Sequence, residues 1–330
     1  MAMLKPRGSA KDFWNTIKAV SIAEIVKAAQ RPLGLALVGD PELRQKIKAA
    51  IYANPSSLAQ KSDAIALPVE SFLEEFDSTS PESGFPRKSD LFDIIIDVGG
   101  GREDAPEGVA IYSIQELGGW DATVQRILDD RPDIHLALAR NFPVFRPIVA
   151  EQIIAMTATA NAQFALVTGI TAAFPLLAFL LPVNGLSDML MLTKNQVMMT
   201  LKLAAVYGRE LEYKSRLKEI APILLNAFGW RAVARELVGA IPIIGMVSKA
   251  GIAYAGTVTV GKSAQVFYES GEKIGAAQLK GWYKEALVSS KDKIRALARR
   301  TPRRQPSAVT REPMLALPSG GDEISEEGGA

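Results

Sequence analysis

A buried strand followed at once by a helix can be read from residues 33–42, Leu33-Gly34-Leu35-Ala36-Leu37-Val38-Gly39-Asp40-Pro41-Glu42. The apolar run at 33–38 is short and closed by glycine, which is typical of a strand buried in a parallel sheet. Asp40 has the side chain of a helix N-cap, and Pro41 suits the first helical position. The pattern therefore predicts a helix that starts at Pro41 and continues to Ala53.

Strand patterns alternate with helical patterns farther along the chain. The strongest strand is Phe92-Asp93-Ile94-Ile95-Ile96-Asp97-Val98, which three glycines follow. Weaker strands are predicted at residues 64–69, 109–114 and 134–139. A helix is predicted at 120–130. This alternation predicts a small α/β domain over residues 33–145, preceded by a leader and an amphipathic helix at 1–32.

The character of the sequence changes near residue 146, after which no convincing strand pattern remains. Residues 164–183 form a run of twenty without a charge, a length that matches the hydrocarbon core of a bilayer. A second apolar stretch, 237–261, contains one charge, Lys249, and a methionine-rich helix is predicted between the two at 189–207. These patterns predict an all-α, hydrophobic helical-hairpin domain at 146–290 that associates with a membrane.

The charges leave open how these segments would meet a membrane. If both apolar segments span, residues 184–236 with their eight Lys and Arg lie across the membrane from a basic tail, against the positive-inside tendency. Two hairpins that enter from the cytoplasmic face would avoid this conflict. A soluble, unusually apolar helical bundle would avoid it too.

Residues 291–330 are polar, with a basic part followed by an acidic, glycine-rich part. The basic cluster comprises Lys293, Arg295, Arg299, Arg300, Arg303 and Arg304, and the acidic end contains Asp322, Glu323, Glu326 and Glu327. Low apolar content predicts a disordered tail. The basic part suits a solvated linker or a contact with anionic lipid. Nucleic-acid binding ranks last because no aromatic residues interleave with the charges.

The composition excludes several kinds of chemistry. The 330 residues include no cysteine and one histidine, His135, and the formal net charge is +2. Disulfides, thiolate nucleophiles and thiolate metal ligands are therefore excluded, and other transition-metal sites are disfavoured. His135 falls in a predicted strand, which favours a packed or hydrogen-bonded role. The adjacent carboxylates Glu74 and Glu75, and likewise Asp129 and Asp130, are typical of solvated surfaces. We predict no catalytic set, no metal and no cofactor.

A literal phosphate-loop pattern, G-x-x-x-x-G-K-S, occurs at Gly256-Thr257-Val258-Thr259-Val260-Gly261-Lys262-Ser263. The β-branched residues at its variable positions suit poorly a loop that must wrap an anion. The preceding residues 246–255 have the pattern of a helix, whereas a phosphate loop follows a strand. We interpret the match as small residues on a packed helix. The alternative is an atypical nucleotide site that would use Gly256, Gly261, Lys262, Ser263 and Asp97.

The position where an α/β fold would bind phosphate is residues 39–43. It lacks a lysine and a Ser or Thr, and Asp40 and Glu42 place negative charge there. Asp97 to Gly100 has the D-x-x-G spacing that GTPases use, but the N-K-x-D pattern is absent. Gly99–Gly101 is the other candidate for an atypical nucleotide site. The sequence thus predicts a nucleotide-binding fold that has lost its chemistry.

Several short motifs carry a resemblance to a known family. They are Ala172-Ala173-Phe174-Pro175, then Asp188, then Leu192-Thr193-Lys194-Asn195-Gln196-Val197-Met198-Met199, then Ala204-Ala205-Val206-Tyr207-Gly208, and Gly239-Ala240-Ile241-Pro242-Ile243-Ile244-Gly245. Over about residues 150–270 the chain resembles the YcjF-type GTPase-associated bacterial membrane proteins of unknown function (domain-of-unknown-function family 697). The matched motif positions are Pro175, Asp188, Thr193, Gln196, Met199, Tyr207, Gly208, Pro242 and Gly245.

The resemblance implies a location and partners, and no reaction. In that family the helical domain often follows an Era-like GTPase domain, which would make residues 33–145 a degenerate GTPase-like remnant. The expected fold is therefore α+β, a small degenerate α/β domain followed by the all-α hairpin domain. The expected function is a non-enzymatic scaffold or regulator at the bacterial inner membrane, with the α/β domain on the cytoplasmic side. Its expected partners are the lipid membrane and a GTPase or a second copy of the chain, with no nucleic acid.

Overall fold

The computed structural model describes residues 22–53, 72–76, 92–99, 110–168, 186–209 and 246–300. Within these ranges the protein combines one small parallel sheet with many helices, which confirms the coarse α+β expectation.

The sheet has four parallel strands in the order β2-β1-β3-β4. The strands are β1 (Gly34–Val38), β2 (Phe72–Phe76), β3 (Ile94–Asp97) and β4 (Ile111–Ser113). Every residue of β1 and β3 is buried, as expected for the central strands of a covered parallel sheet. The strands predicted at 33–38, 92–98 and 109–114 are thereby confirmed. The strand predicted at 64–69 lies outside the described residues, and β2 was not predicted.

Three helices accompany the sheet: α1 (Ile22–Ala29), α2 (Pro41–Tyr52) and α3 (Trp120–Asp130). The helix start at residue 41 is confirmed, because Oδ1 of Asp40 accepts a hydrogen bond from the Leu43 amide at 2.9 Å. α3 has the predicted bounds. Its buried side chains recur at helical spacing, at Thr123, Val124, Ile127 and Leu128.

The strand predicted at 134–139 is wrong. Residues Pro132–Ile134 form a turn of 3-10 helix, and His135–Asn141 form α4. A further 3-10 turn, Pro143–Phe145, follows it. The alternation of large and small residues imitates a strand, but alanine is a strong helix former. Ile134 and Leu138, four residues apart, are both buried, which is the helical period.

The rest of the described chain is helical, as predicted for residues after 146. The helices are α5 (Arg146–Thr168), α6 (Leu186–Val206), α7 (Met246–Ser270) and α8 (Ala276–Arg300). α7 packs against the three others. The prediction that disorder begins at residue 291 is wrong for its first ten residues, because α8 continues to Arg300. One face of the helix is regularly buried, at Tyr283, Ala286, Ser290 and Ile294, and this packing stabilises the helix although its composition is polar.

The sheet and the helices share one hydrophobic core. A single cluster of buried side chains extends from Ile25 in α1, through both central strands, to Ile294 in α8. α1 and α4 both pack on α6, so helices before and after the change of composition near residue 146 are in contact.

The amides of buried Asn161 and half-buried Asn195 cross-link three of the long helices. Nδ2 of Asn161 in α5 donates to Oγ1 of Thr257 in α7 at 2.9 Å. Nδ2 of Asn195 in α6 donates to Oδ1 of Asn161 at 2.8 Å. Asn161 is 1% exposed, so these bonds form in a low-dielectric interior where an unpaired amide is costly. The network therefore fixes the register of α5, α6 and α7.

Candidate functional site

The carboxyl edge between β1 and β3 is where this topology would place a ligand. β1 has β2 on one side and β3 on the other, so the chain leaves β1 toward one neighbour and later returns on the opposite side. Parallel sheets bind ligands outside the carboxyl ends of the strands at such a reversal. Gly39 follows β1 and Gly99 follows β3 at this edge.

Two glycine turns are in direct backbone contact there. Gly39 has φ 123° and Gly99 has φ 124°, a region that side chains rarely adopt. A Cβ atom on Gly39 would lie 2.6 Å from the carbonyl oxygen of Gly99. The Asp40 amide donates to that oxygen at 3.1 Å, and the Val98 amide donates to the Val38 carbonyl at 2.9 Å. These contacts hold the turn after β1 against the turn after β3, and we call this part of the sheet the closed edge.

The amides that a phosphate would use at this edge already have carboxylate partners from the chain. The Asp40 carboxylate accepts from the Leu43 amide at the start of α2. The Asp97 carboxylate, which is 5% exposed, accepts from the Gly99 amide at 2.9 Å. A helix N-terminus attracts anions through its free N–H groups and its dipole. The Asp40 carboxylate takes that role at the start of α2, and the charges of Asp40 and Asp97 repel a phosphate.

The phosphate-loop match lies in the middle of α7. All eight residues, Gly256 to Ser263, are α-helical, so their amides serve the helix instead of a loop. The buried hydroxyls of Thr257 and Thr259 donate to the carbonyls of Ala253 and Ala255, both at 2.8 Å. These contacts agree with the packed-helix interpretation, and the alternative site at Gly256, Gly261, Lys262 and Ser263 has no phosphate-loop backbone here.

Gly261 explains why small residues occur in this pattern. A Cβ atom there would lie 2.6 Å from Cγ1 and 2.9 Å from Cγ2 of Ile154 in α5. The two helices therefore approach more closely than any other residue type would allow. The glycine serves helix packing, and the neighbouring Lys262 and Ser263 are half-buried in the same helix.

His135, Glu75 and Asp130 have structural partners. Nε2 of His135 lies 2.6 Å from the Leu128 carbonyl, so this nitrogen carries the proton and donates. The packed or hydrogen-bonded interpretation of His135 is confirmed, although on a helix. Glu75 pairs with Lys48, and Asp130 accepts from Arg126 at 2.8 Å. Among the described residues no three His, Asp or Glu side chains are grouped as metal ligands would be.

Three arginines that the sequence did not single out bind the carboxyl ends of three helices. Arg146 donates to the Ala139 carbonyl of α4 at 3.1 Å. Arg140 donates to the Arg209 carbonyl just beyond α6, at 3.1 Å. Arg209 donates to the Tyr268 carbonyl of α7, at 2.6 Å from Nη2. Cations suit these positions because the ends of helices carry free carbonyls and partial negative charge. Burial lowers the pKa of both Arg140 and Arg146.

The motif residues at the end of α6 have structural roles in the described chain. Gly208 has φ 68°, and the Arg209 amide donates to the Ala204 carbonyl at 2.9 Å while the Gly208 amide donates to Ala205 at 3.0 Å. This pair of bonds is the Schellman ending of a helix, which favours glycine. Buried Tyr207 accepts from Nε2 of Gln265 at 3.2 Å.

The other motif residues lie in α6 or outside the described ranges. Gln196 and Met199 are buried in α6. Asp188 and Thr193 belong to the same helix. Pro175, Pro242 and Gly245 lie outside the described residues.

Comparisons with protein-family models, with curated proteins and with solved structures gave no match. No described helix combines the length and the apolar character needed to cross a bilayer. Of the two apolar segments, only 164–168 and 246–261 fall in described helices, and the remainder lies outside.

Tyr207 predicts a loss of stability at alkaline pH. Burial raises the pKa of its phenol above the ordinary value of 10.0, so folding keeps the phenol neutral where the unfolded chain ionises. Its contribution is complete below pH 10 and is lost as the pH rises toward the folded pKa. For Tyr207→Phe we expect the fall in unfolding free energy above pH 10 to be shallower by about 1.4 kcal/mol per pH unit.

Urea titrations at intervals from pH 8 to pH 11 measure this slope. Because Phe also lacks the hydroxyl that Gln265 contacts, the variant is expected to start about 1 kcal/mol less stable at neutral pH. Parallel pH curves for the two proteins would contradict the assignment of the alkaline loss to Tyr207.

Proposed function

We propose that this chain is a non-enzymatic, membrane-associated scaffold or regulator whose α/β domain is a degenerate, GTPase-like fold used for binding proteins. The observation that carries the proposal is the closed edge between β1 and β3. A phosphate there would have to separate Gly39 from Gly99 and displace the carboxylates of Asp40 and Asp97. The chain keeps the strand-glycine-helix geometry, but its own carboxylates occupy the position of a phosphate. Such a domain is suited to binding proteins and not to catalysis on a nucleotide.

The membrane part of the proposal rests on the apolar segments 164–183 and 237–261, which are long enough for a bilayer. The resemblance to the YcjF-type family supports the same location, the bacterial inner membrane with the α/β domain on the cytoplasmic side. It also supports a GTPase or a second copy of the chain as the protein partner. The shared core between sheet and helices would transmit a contact on one part to the other.

Fractionation of bacteria that express the full-length protein tests the membrane association. We expect the protein in the membrane pellet after high-salt and alkaline carbonate washing, with release only by detergent. Recovery in the soluble fraction after lysis would overturn this part of the proposal.

Nucleotide binding tests the closed edge. We expect no saturable binding of GTP or ATP with magnesium to the full-length protein, measured by calorimetry. Saturable GTP binding would overturn the closed-edge interpretation, and its loss in Lys262→Ala or Asp97→Asn would identify the site responsible.

A further inference from the structure

The last helix of the described chain, α8, has one face packed against the bundle and the opposite face exposed. Its buried residues include Leu279, Tyr283, Ala286 and Ile294, and it packs chiefly on α7. Gly251 of α7 accommodates this packing, because a Cβ atom there would lie 3.3 Å from Leu287. The orientation of α8 is therefore fixed, and so is the set of side chains on its outer face.

Four basic residues follow each other along that outer face, and we name them the basic stripe: Lys284, Lys291, Arg295 and Arg299. All four are exposed. Their spacings of seven, four and four residues keep them on one side of the helix, over a length of about 22 Å. Val288 lies within the stripe and is 65% exposed, an apolar side chain that the described residues leave uncovered.

The charge of α8 differs from that of the chain as a whole. The helix contains seven basic and two acidic residues, a net charge of +5, whereas all 330 residues together carry +2. The remainder of the chain is therefore slightly acidic. Arg295 lies 3.2 Å from Asp292, but both side chains are strongly exposed, so this pair is screened and leaves the stripe positive.

Lys293 belongs to the opposite flank of the helix. Its Nζ lies 5.9 Å from the centre of the Tyr254 ring in α7, a distance at which a cation is attracted to the ring face. This contact helps to hold α8 on the bundle. The basic stripe is thus presented on a supported helix instead of a free segment.

We propose that the basic stripe docks α8 lengthwise on an anionic lipid surface, with Val288 directed into the headgroup region. The proposal rests on the proposed membrane association and adds the lipid class and the contact residues. A straight row of cations around an exposed aliphatic side chain matches the interfacial face of a membrane-binding helix. Lysine and arginine near such a surface are attracted by its negative potential. The stripe itself has no aromatic residue for base stacking, which disfavours single-stranded nucleic acid.

The test compares binding of full-length protein to two kinds of vesicle, phosphatidylcholine alone and phosphatidylcholine with 30% phosphatidylserine. The measured quantity is the anionic preference, the ratio of the two partition coefficients from flotation at low salt. Each basic residue at the surface contributes about fivefold, that is about 1 kcal/mol. We expect a preference of about 100-fold or more in the unmodified protein, and a decrease as salt is raised.

Charge reversal of the stripe supplies the decisive variant. In Lys284→Glu/Lys291→Glu/Arg295→Glu we expect the anionic preference to fall to near unity. The matched control, Lys27→Glu/Lys46→Glu/Lys273→Glu, changes the net charge equally at three exposed lysines away from the stripe. The control should keep most of the preference, and thermal unfolding followed by circular dichroism should show both variants folded.

The outcomes separate this proposal from the one on which it rests. Equal binding to both kinds of vesicle overturns the docking of the stripe and leaves membrane association standing. Binding to neither kind overturns the membrane association itself. An equal loss of preference in both triple variants shows a general charge effect and also overturns the stripe.

Discussion

Replacing Gly39 with alanine is expected to lower the free energy of unfolding by about 2–6 kcal/mol, from backbone strain and overpacking together. The backbone of Gly39 has φ 123°, a conformation that costs an alanine about 1–3 kcal/mol. The new Cβ would also lie 2.6 Å from the Gly99 carbonyl oxygen. That oxygen belongs to the backbone and accepts from the Asp40 amide, so it cannot move without disturbing the start of α2. Urea denaturation followed by circular dichroism measures the change.

Gly119→Ala is the matched control. Gly119 has φ 122°, nearly the value of Gly39, but beyond its chain neighbours no atom of the described residues lies within 4 Å of its added Cβ. Its substitution should cost the strain alone, about 1–3 kcal/mol. The difference between the two variants isolates the contact between the turns. Equal costs would mean that the edge between β1 and β3 is open, which would remove the main support for a domain without nucleotide chemistry.

The parts of the fold that could be predicted from sequence are those with a local cause. β1 and α2 follow from an apolar run, a capping aspartate and a proline within ten residues, because each signal acts on its immediate neighbours. α3 has its predicted bounds because its apolar residues repeat at the helical period. The phosphate-loop match could also be judged locally, since the β-branched residues at its variable positions suit poorly a loop that must wrap an anion, and the residues before it have a helical pattern.

The parts that could not be predicted depend on contacts distant in sequence. Residues 134–139 alternate as a strand does, and their helical form is set by burial against α1 and α6. β2 contains Glu74 and Glu75, and it forms because β1 supplies a parallel partner. The sequence at the end of α8 is typical of a polar tail, and it is helical because Ile294 packs into the core. Composition alone cannot reveal a partner supplied by another element.

The candidate site shows the same division. The missing lysine and the acidic residues at 39–43 are visible in the sequence and predict poor phosphate binding. The contact of Gly39 with Gly99 joins residues sixty positions apart, and no single-sequence pattern encodes it. The arginine caps are likewise long-range: Arg140 binds the carbonyl of Arg209. An arginine in a helical pattern gives no sign of which helix end it will reach.

Gly261→Leu is expected to destabilise the protein by at least about 3 kcal/mol, because a leucine must fit where α5 and α7 touch. The first atom of the new side chain would already lie within 3 Å of Cγ1 and Cγ2 of Ile154. Both are branch atoms close to the helix backbone, so a rotamer change of Ile154 does not make room. The amides of buried Asn161 and half-buried Asn195 fix the same helices in register, which prevents α5 and α7 from separating without breaking hydrogen bonds. Chemical denaturation measures the loss.

Gly281→Leu is the control for Gly261→Leu, since no other element of the described chain comes within 4 Å of a Cβ at that exposed helical position. It should be neutral or stabilising by up to about 1 kcal/mol, from helix propensity. Ile154→Ala removes the obstructing atoms, so the double variant should lose less stability than the two single losses predict, by about 0.5–3 kcal/mol. If Gly261→Leu were as well tolerated as Gly281→Leu, residues 256–263 could not be packed against α5. The interpretation of the G-x-x-x-x-G-K-S pattern as a phosphate loop would then regain its force, because its glycine would be free of any role in helix packing.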